Sequence, residues 1–518
     1  MYSFDGFGIE RKSSYGSLID LSENGKAQSA GGRPRIAIVG AGITGISTAC
    51  HILDAGLDCH IFESGNESSV GGIWTKVNTT SRLQIHSQFY RFHPAVQWDS
   101  DYPNRQEILG QVHQLWDRYN LASRTTFHCP VESTRQEDDG KWVVNDPSYG
   151  YFDGVVAAVG TCGEVYAPKI AGQDNFKGRV IHSSELDPEA VKGKNVVIIG
   201  GGASAVEALE FSCDNGAASA KVLARSERWF IPREPRLNAC LAGTVGDRFG
   251  ILAWILGFMI RFFFYREFWE MAPPSSGPYT LFSGTPIVNS RIFQLMRQGR
   301  ASWVRGDVRG FSEHGIEFTR RKGSPKAGEL NGEATTEKGD ICILATGYSR
   351  PSLQFLPQTK SSSKYQPPNW YLQTFPTENA TVCATNCTWQ EGIGSVGGVH
   401  IGLYTRFLLA FVMDPEARPS ERFMKGWVDL VHILKKPYPG GALSFVSSAE
   451  LFFWIVVVIA VQPSLWKWAS FILSGPDLLH GKNVAQNTNL SERFPSNASQ
   501  PALPEKPIAA RQDSGISI

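Results

Sequence analysis

The chain has no large excess of either charge and no CxxC pair, and a secretory leader is not expected at its start. Its 50 lysines and arginines against 49 aspartates and glutamates leave a net charge of +1, which offers nucleic acid no electrostatic footprint. The nine cysteines are scattered, with no metal-ligand spacing to one another or to histidine. A redox disulfide and a metal site are therefore not expected, and reduced thiols in a cytosol-facing protein are. Ser/His/Asp and paired-carboxylate constellations are not evident either. Residues 1–32 are polar and rich in serine and glycine, where a secretory leader would be apolar. They and residues 475–518 are expected to be mobile tails.

The composition is that of a globular protein, with 42% hydrophobic and 19% charged residues over 518 positions. That length allows two or three domains. Two glycine-rich turns, each closing an apolar run, stand far apart: Gly40-Ala41-Gly42-Ile43-Thr44-Gly45 and Gly200-Gly201-Gly202-Ala203-Ser204-Ala205. The first is followed by a helical stretch and an apolar strand ending at Glu63, the context that lifts GxGxxG above chance. Gly40 permits the tight turn, Gly42 lets backbone approach a pyrophosphate, and Gly45 lets helix and strand pack closely. The phosphates would meet free N–H groups at the helix N-terminus, and Glu63 lies where a carboxylate binds ribose hydroxyls.

The second unit differs at one informative point. Its second strand ends at Arg225-Ser226 rather than an acid. A carboxylate there would repel a 2′-phosphate, whereas a guanidinium binds it, so NADPH is expected rather than NADH. Arg228 and Arg233 are further basic candidates. The fold class implied is α/β, with two Rossmann-like dinucleotide-binding domains held face to face. Apolar strands at 155–159 and 341–345 are read as leading out of the first domain and back into it. The second domain would then be inserted: 1–33 a tail, 34–187 the first domain, 188–339 the insertion, 340–435 the return, 436–474 an apolar segment and 475–518 a tail.

Further motifs give the family. Gly71-Gly72-Ile73-Trp74, Asp101-Tyr102-Pro103, the segment from Phe176 through His182 to Leu186, and Ala345-Thr346-Gly347-Tyr348 stand at matching spacings. With the two turns, they make the chain resemble the class B flavoprotein monooxygenases, close to the flavin-containing monooxygenases and related to the Baeyer–Villiger enzymes. The resemblance implies FAD in the first domain, held by Gly40, Gly42, Gly45, Glu63, Gly72, Ile73, Trp74, His86, Val131, Thr346 and Gly347. It implies NADPH in the second, held by Gly200, Gly202, Ala203, Ser204, Arg225 and Ser226. His86 stands where the family often has an asparagine near the flavin, and is the candidate catalytic hydrogen-bond donor. A core or surface histidine is the equal alternative. Leu186-Asp187 departs from the aromatic ending of the signature, and Asp187 leans towards ketone oxygenation.

The resemblance also implies the chemistry. NADPH reduces FAD, reduced flavin traps O2 as a C4a-hydroperoxide, and one oxygen passes to an apolar small molecule, in a setting such as specialised metabolism. A helix near 401–412, following a glycine-rich segment at 391–398, would point its N-terminus at the flavin and favour its anionic reduced form by about 0.3–2 kcal/mol. Nitrogen, sulfur and ketone carbonyl all remain open as the acceptor. A disulfide or quinone reductase shares the two-dinucleotide plan, though the disulfide version needs a cysteine pair; a membrane-tethered nucleotide-binding protein without catalysis is the third reading.

Two stretches are strongly apolar. Residues 451–473 are long enough to span a bilayer, with Trp454, Trp466 and Trp468 placed for its interfaces, but Pro463 would kink them. Membrane association through this stretch, facing the cytosol, is expected, with a docked core helix as the alternative. The run 250–264 lies inside the inserted domain and is expected to be a buried or substrate-lining helix.

Overall fold

The computed structural model describes residues 33–225, 227–243, 251–273, 286–321, 332–357, 363–388, 398–436 and 448–475. Two sheets organise them. The apolar run before the first turn is β1 (Arg35–Val39), flanked by β2 (Asp58–Phe62) and β6 (Gly154–Ala157), both parallel to it. Such near-continuous apolar strands suit a parallel sheet covered on both faces. With β3 (Thr125–Thr126) and β16 (Val382–Ala384), the order is β16-β6-β1-β2-β3. A hairpin, β4 (Thr134–Gln136) and β5 (Trp142–Val144), precedes β6.

The second sheet has seven strands: β7 (Arg179–His182), β8 (Asn195–Ile199), β9 (Ser219–Ala224), β12 (Ala301–Ser312), β13 (Gly315–Arg320), β14 (Ala334–Lys338) and β15 (Ile341–Leu344). Their order is β14-β13-β12-β9-β8-β15-β7. The short strands β10 (Phe230–Ile231) and β11 (Ile287–Val288) pair separately. All seven lie between β6 and β16 in sequence. The boundaries drawn at 188 and 339 need correcting. β7 precedes the first, β15 follows the second, and Ile341 pairs with both Val196 and Arg179. The strand that returns to the first sheet is β16. An apolar parallel strand reads alike whichever sheet receives it, so the run at 341–345 carried no information on its partner.

Helices α1 (Ile43–Asp54) and α3 (Ala203–Asp214) follow the two turns. Between them α2 (Arg105–Arg118) opens on a capping box of Asn104 and Glu107. Further on come α4 (Pro235–Gly243), α5 (Ile251–Ile260), α6 (Val399–Met413), α7 (Glu421–Lys435), α8 (Ser448–Val461) and α9 (Ala469–Ser474). Helix α6 packs along α1, and Phe407, Leu408 and Phe411 bury in the same core as Ile46 and Ala49.

The 451–473 stretch is not one helix. Its two helical halves bend by 118° at the Gln462–Pro463 break, and no single helix among the described residues is long and apolar enough to cross a membrane. Pro463 supplies no N–H to continue α8. Leu451, Ile455 and Val458 face inward, and a buried ion pair, Lys435 to Glu450 at 2.7 Å, ties α7 to α8. Of the two readings of 250–264, full burial is corrected: α5 buries Leu256 and Ile260 but exposes Trp254, Ile255, Phe258 and Met259.

Candidate dinucleotide sites

The first turn leaves no room for side chains where the sequence has none. Gly40 takes φ +106°, and a Cβ on Gly45 would lie 1.9 Å from the Gly40 carbonyl oxygen. Only glycine fits both. Gly42 caps α1 without a side-chain acceptor, and no acid lies in the first turn. The N–H groups of Ile43, Thr44 and Gly45 are therefore open to an anion. Gly71 N–H donates to the Ala41 carbonyl (2.9 Å). That bond lays the helical turn Gly72–Thr75, with Ile73 and Trp74, against the glycine loop. Arg105 fastens it through the Trp74 and Thr75 carbonyls, both at 2.8 Å.

Glu63 is buried at the end of β2. Its carboxylate accepts from Ala41 N–H at 2.7 Å and Gly65 N–H at 2.8 Å. It thus braces the turn, and an ionised carboxylate has lone pairs left for a ribose. Cys129 N–H donates to the Glu63 carbonyl (2.9 Å), which brings the segment containing Val131 alongside, packed against the cluster that holds Phe62 and Cys129.

A second helix start converges here. His400, in the first turn of α6, contacts Asn386 Oδ1 through Nε2 (2.5 Å), while Asn386 Nδ2 donates to Thr44 Oγ1 (3.0 Å). The amide donates towards Thr44, so its oxygen accepts and the His400 proton sits on Nε2. Burial pushes the His400 pKa down to about 4. Two N-terminal helix dipoles thus lie beside one another at the first turn, an environment that favours negative charge. The preceding segment 391–397 lies outside the described residues.

The second turn follows the same plan. Gly200 takes φ +144°, and a Cβ there would lie 2.2 Å from the Ala345 carbonyl oxygen. Gly202 caps α3, with Ala203 and Ser204 in its first turn, and a Cβ on Gly202 would meet nothing within 4 Å. Arg225 is exposed at the end of β9; Ser226 lies outside the described residues. Its support was not legible in the sequence. Arg321 donates to the Arg225 carbonyl oxygen (2.5 Å) while paired with Asp307 at 2.9 and 2.6 Å. Thr346 and Gly347 follow β15 beside this turn; Thr346 Oγ1 donates to the Tyr166 carbonyl, and Gly347 takes φ +82°.

The segment 78–104 joins the two halves. Asn78 Nδ2 donates to the Ser183 carbonyl (2.7 Å), Ser81 Oγ to Glu207 (2.5 Å), Val288 N–H to Gln84 (3.2 Å) and Asn238 Nδ2 to Tyr102 OH (2.6 Å). Burial raises the Glu207 carboxyl pKa against the opposing pull of the Ser81 and Thr80 hydroxyls and the Asn78 amide. His86 sits on this segment. Its Nδ1 accepts from Gln88 N–H (3.2 Å), so the proton is on Nε2 and points at Asp101 (3.2 Å). Its ring meets Tyr102 edge-on at 5.8 Å. Arg233 stacks over the same Tyr102 at 6.0 Å. His182 bonds Ser184 Oγ (2.8 Å), and burial lowers its pKa.

A group of His51, Asp54 and His93 has metal-ligand spacing. Two of its members are already bonded within the protein: His93 contacts Asp54 at 3.0 Å, Ala95 N–H donates to His93, and Tyr119 donates to Asp54 at 2.8 Å.

Fold and sites together define a protein with two dinucleotide-binding domains whose glycine turns share one interdomain segment. The profile of the pyridine nucleotide-disulphide oxidoreductase family matches residues 37–250. Among curated relatives, a Baeyer–Villiger monooxygenase of Pseudomonas aeruginosa is 27% identical over 39% of this chain and 39% of its own length. An FAD-binding monooxygenase of Aspergillus niger, ktnD, is 28% identical over 39% of this chain and 36% of its own length. The chain thus spans about two-fifths of these two relatives. The indole-3-pyruvate monooxygenase YUCCA6 of Arabidopsis thaliana is 27% identical over 65% of this chain and 81% of its own length. A steroid monooxygenase structure with NADP shares the fold, with TM-score 0.61 and 17% identity over 83% of this chain and 98% of that one. The resemblance to flavin monooxygenases of the Baeyer–Villiger and YUCCA kinds is thus found in sequence, and the two-domain fold in structure.

Proposed function

We propose that the protein is an FAD-dependent, NADPH-consuming monooxygenase that inserts one atom of O2 into an apolar small molecule. The observation that carries this reading is the pair of cradles: two helix starts free of side-chain caps, each behind a turn that only glycine can form. All nine cysteines are free thiols, and none of those described reaches another, which separates the chain from a disulfide reductase despite the family profile.

The open N–H groups of Ile43 to Gly45 would take the FAD pyrophosphate, with Glu63 orienting the ribose and Val131 on the adenosine side. Gly72 to Trp74 would line the cofactor's length. At the second cradle, Gly202 to Ser204 would take the NADPH pyrophosphate and Arg225 the 2′-phosphate, its backbone fixed by Arg321. Bound and reduced, FAD supplies the activation of dioxygen; the chain supplies placement, dryness and the dipoles at Thr44 and His400. His86 would have to release Asp101 to donate to a ligand, so in the apo geometry it orients Tyr102.

Ketone oxygenation is the second reading, supported by Asp187 and by the likeness to the Baeyer–Villiger relative. Association with the cytosolic face of a membrane through α8 and α9, and a place in specialised metabolism, belong to the same proposal. The test is NADPH oxidation by purified, FAD-loaded protein against amines, thioethers and cyclic ketones, with product analysis. Colourless protein that takes up no FAD sinks the reading.

A further inference from the structure

Helix α5 reads Ile-Leu-Ala-Trp-Ile-Leu-Gly-Phe-Met-Ile, with no polar side chain on any face. Such a helix belongs in a core or against lipid, yet only one side of it is covered. Leu256 and Ile260, followed by Tyr265, join the core of the inserted domain. On the other side Trp254 is 57% exposed, Phe258 52%, Phe262 56% and Phe263 69%. Trp254, Phe258 and Phe262 form a ladder at four-residue spacing, stacked at 6.1 and 6.2 Å. Scattered surface apolar residues need no explanation, but a continuous aromatic row marks an interaction site.

A second exposed apolar face lies two hundred residues on. Phe452, Phe453 and Val456 of α8 point outward, and Trp466 follows beyond the bend. Helix α4, just before α5, packs against α8, so the two faces are carried by neighbouring elements. Arg266 beyond the ladder and Lys436 at the end of α7 are exposed, while Glu267 and Glu450 are held in ion pairs by Arg297 and Lys435.

We propose that the α5 ladder is a second membrane contact, which with α8 seats the protein on an anionic bilayer surface without crossing it. This rests on the reading of α8 and α9 as the membrane-associated segment, and adds the inserted domain to it. Exposed tryptophan and phenylalanine beside basic side chains are the composition of an interfacial contact. A helix apolar all round beside a helix pair bent by 118° fits one leaflet rather than two.

The test is flotation of the full-length, FAD-loaded protein with phosphatidylcholine–phosphatidylserine vesicles. Phe258→Glu/Phe262→Glu should lower partitioning by about tenfold or more, with flavin content unchanged, and Phe452→Glu/Phe453→Glu should lower it independently. If the α8 pair abolishes binding and the α5 pair binds like wild type, this inference fails and the C-terminal contact stands. If wild type does not float at all, both fall. A solution dimer that the α5 pair dissolves, with vesicle binding intact, assigns the face to a second copy and overturns the proposal. Should the α5 variant misfold, hydrogen exchange of the unmodified protein decides: amides of 254–263 should slow on adding vesicles, and unchanged exchange refutes the contact.

Discussion

Gly202 separates fold from ligand more cleanly than any other residue of the two turns. In the free chain a methyl group there would meet nothing within 4 Å, and φ is −103°, so alanine is neither crowded nor strained. As the cap of α3, alanine should cost no more than about 1 kcal/mol, a fall in thermal midpoint of about 2–4 °C at most in a chain of this size. With NADPH bound, the same methyl would stand where the pyrophosphate comes closest to backbone. Losing one N–H bond to a charged phosphate costs about 1.5–3 kcal/mol, so Gly202→Ala should raise the NADPH Kd and KM roughly 10- to 100-fold. Titration of nucleotide quenching, steady-state NADPH oxidation and thermal unfolding of one preparation measure all three quantities. An unchanged KM in a normally folded variant would mean that the pyrophosphate does not pass over Gly202. A collapse in thermal midpoint would mean that the space is not open.

At Gly45 the opposite holds. A Cβ 1.9 Å from a backbone oxygen cannot be absorbed, so Gly45→Ala should lose flavin and more than about 2 kcal/mol of stability, read as the 450/280 nm ratio and by thermal unfolding. Gly110→Ala, in open space within α2, should instead stabilise by up to about 1 kcal/mol. Arg225→Ala should reduce the NADPH:NADH preference in kcat/KM by roughly 10- to 100-fold, and Arg321→Met should erode it without touching nucleotide; equal use of both coenzymes by wild type would discard the assignment. His400 is buried neutral, its folded pKa lowered, so stability is full above the unfolded value of about 6.5 and is lost as pH falls from there towards about 4. Denaturant unfolding of His400→Gln should show a pH dependence weaker by roughly 3 kcal/mol across that window; identical curves would mean that His400 charges freely in the fold.

Both turns, Glu63 and the α/β class were legible in the sequence because each depends on few consecutive residues. The contact of the Arg233 guanidinium with Tyr102, on the segment that joins the two halves, was not legible there. Nothing local marked Glu207, Arg321 or Asp307, whose roles exist only across separations of 14, 96 and 126 residues.

The amino-acid order alone decided where backbone must turn without side chains and which helix starts stay uncapped. Those are steric and electrostatic properties of short segments. Tertiary structure decided which sheet receives the strand at 341–344, that the segment 78–104 couples the two cradles, and that α5 shows its aromatic side to the outside. Apolar residues report only that burial is favourable; what buries them is settled by packing between segments remote in the chain.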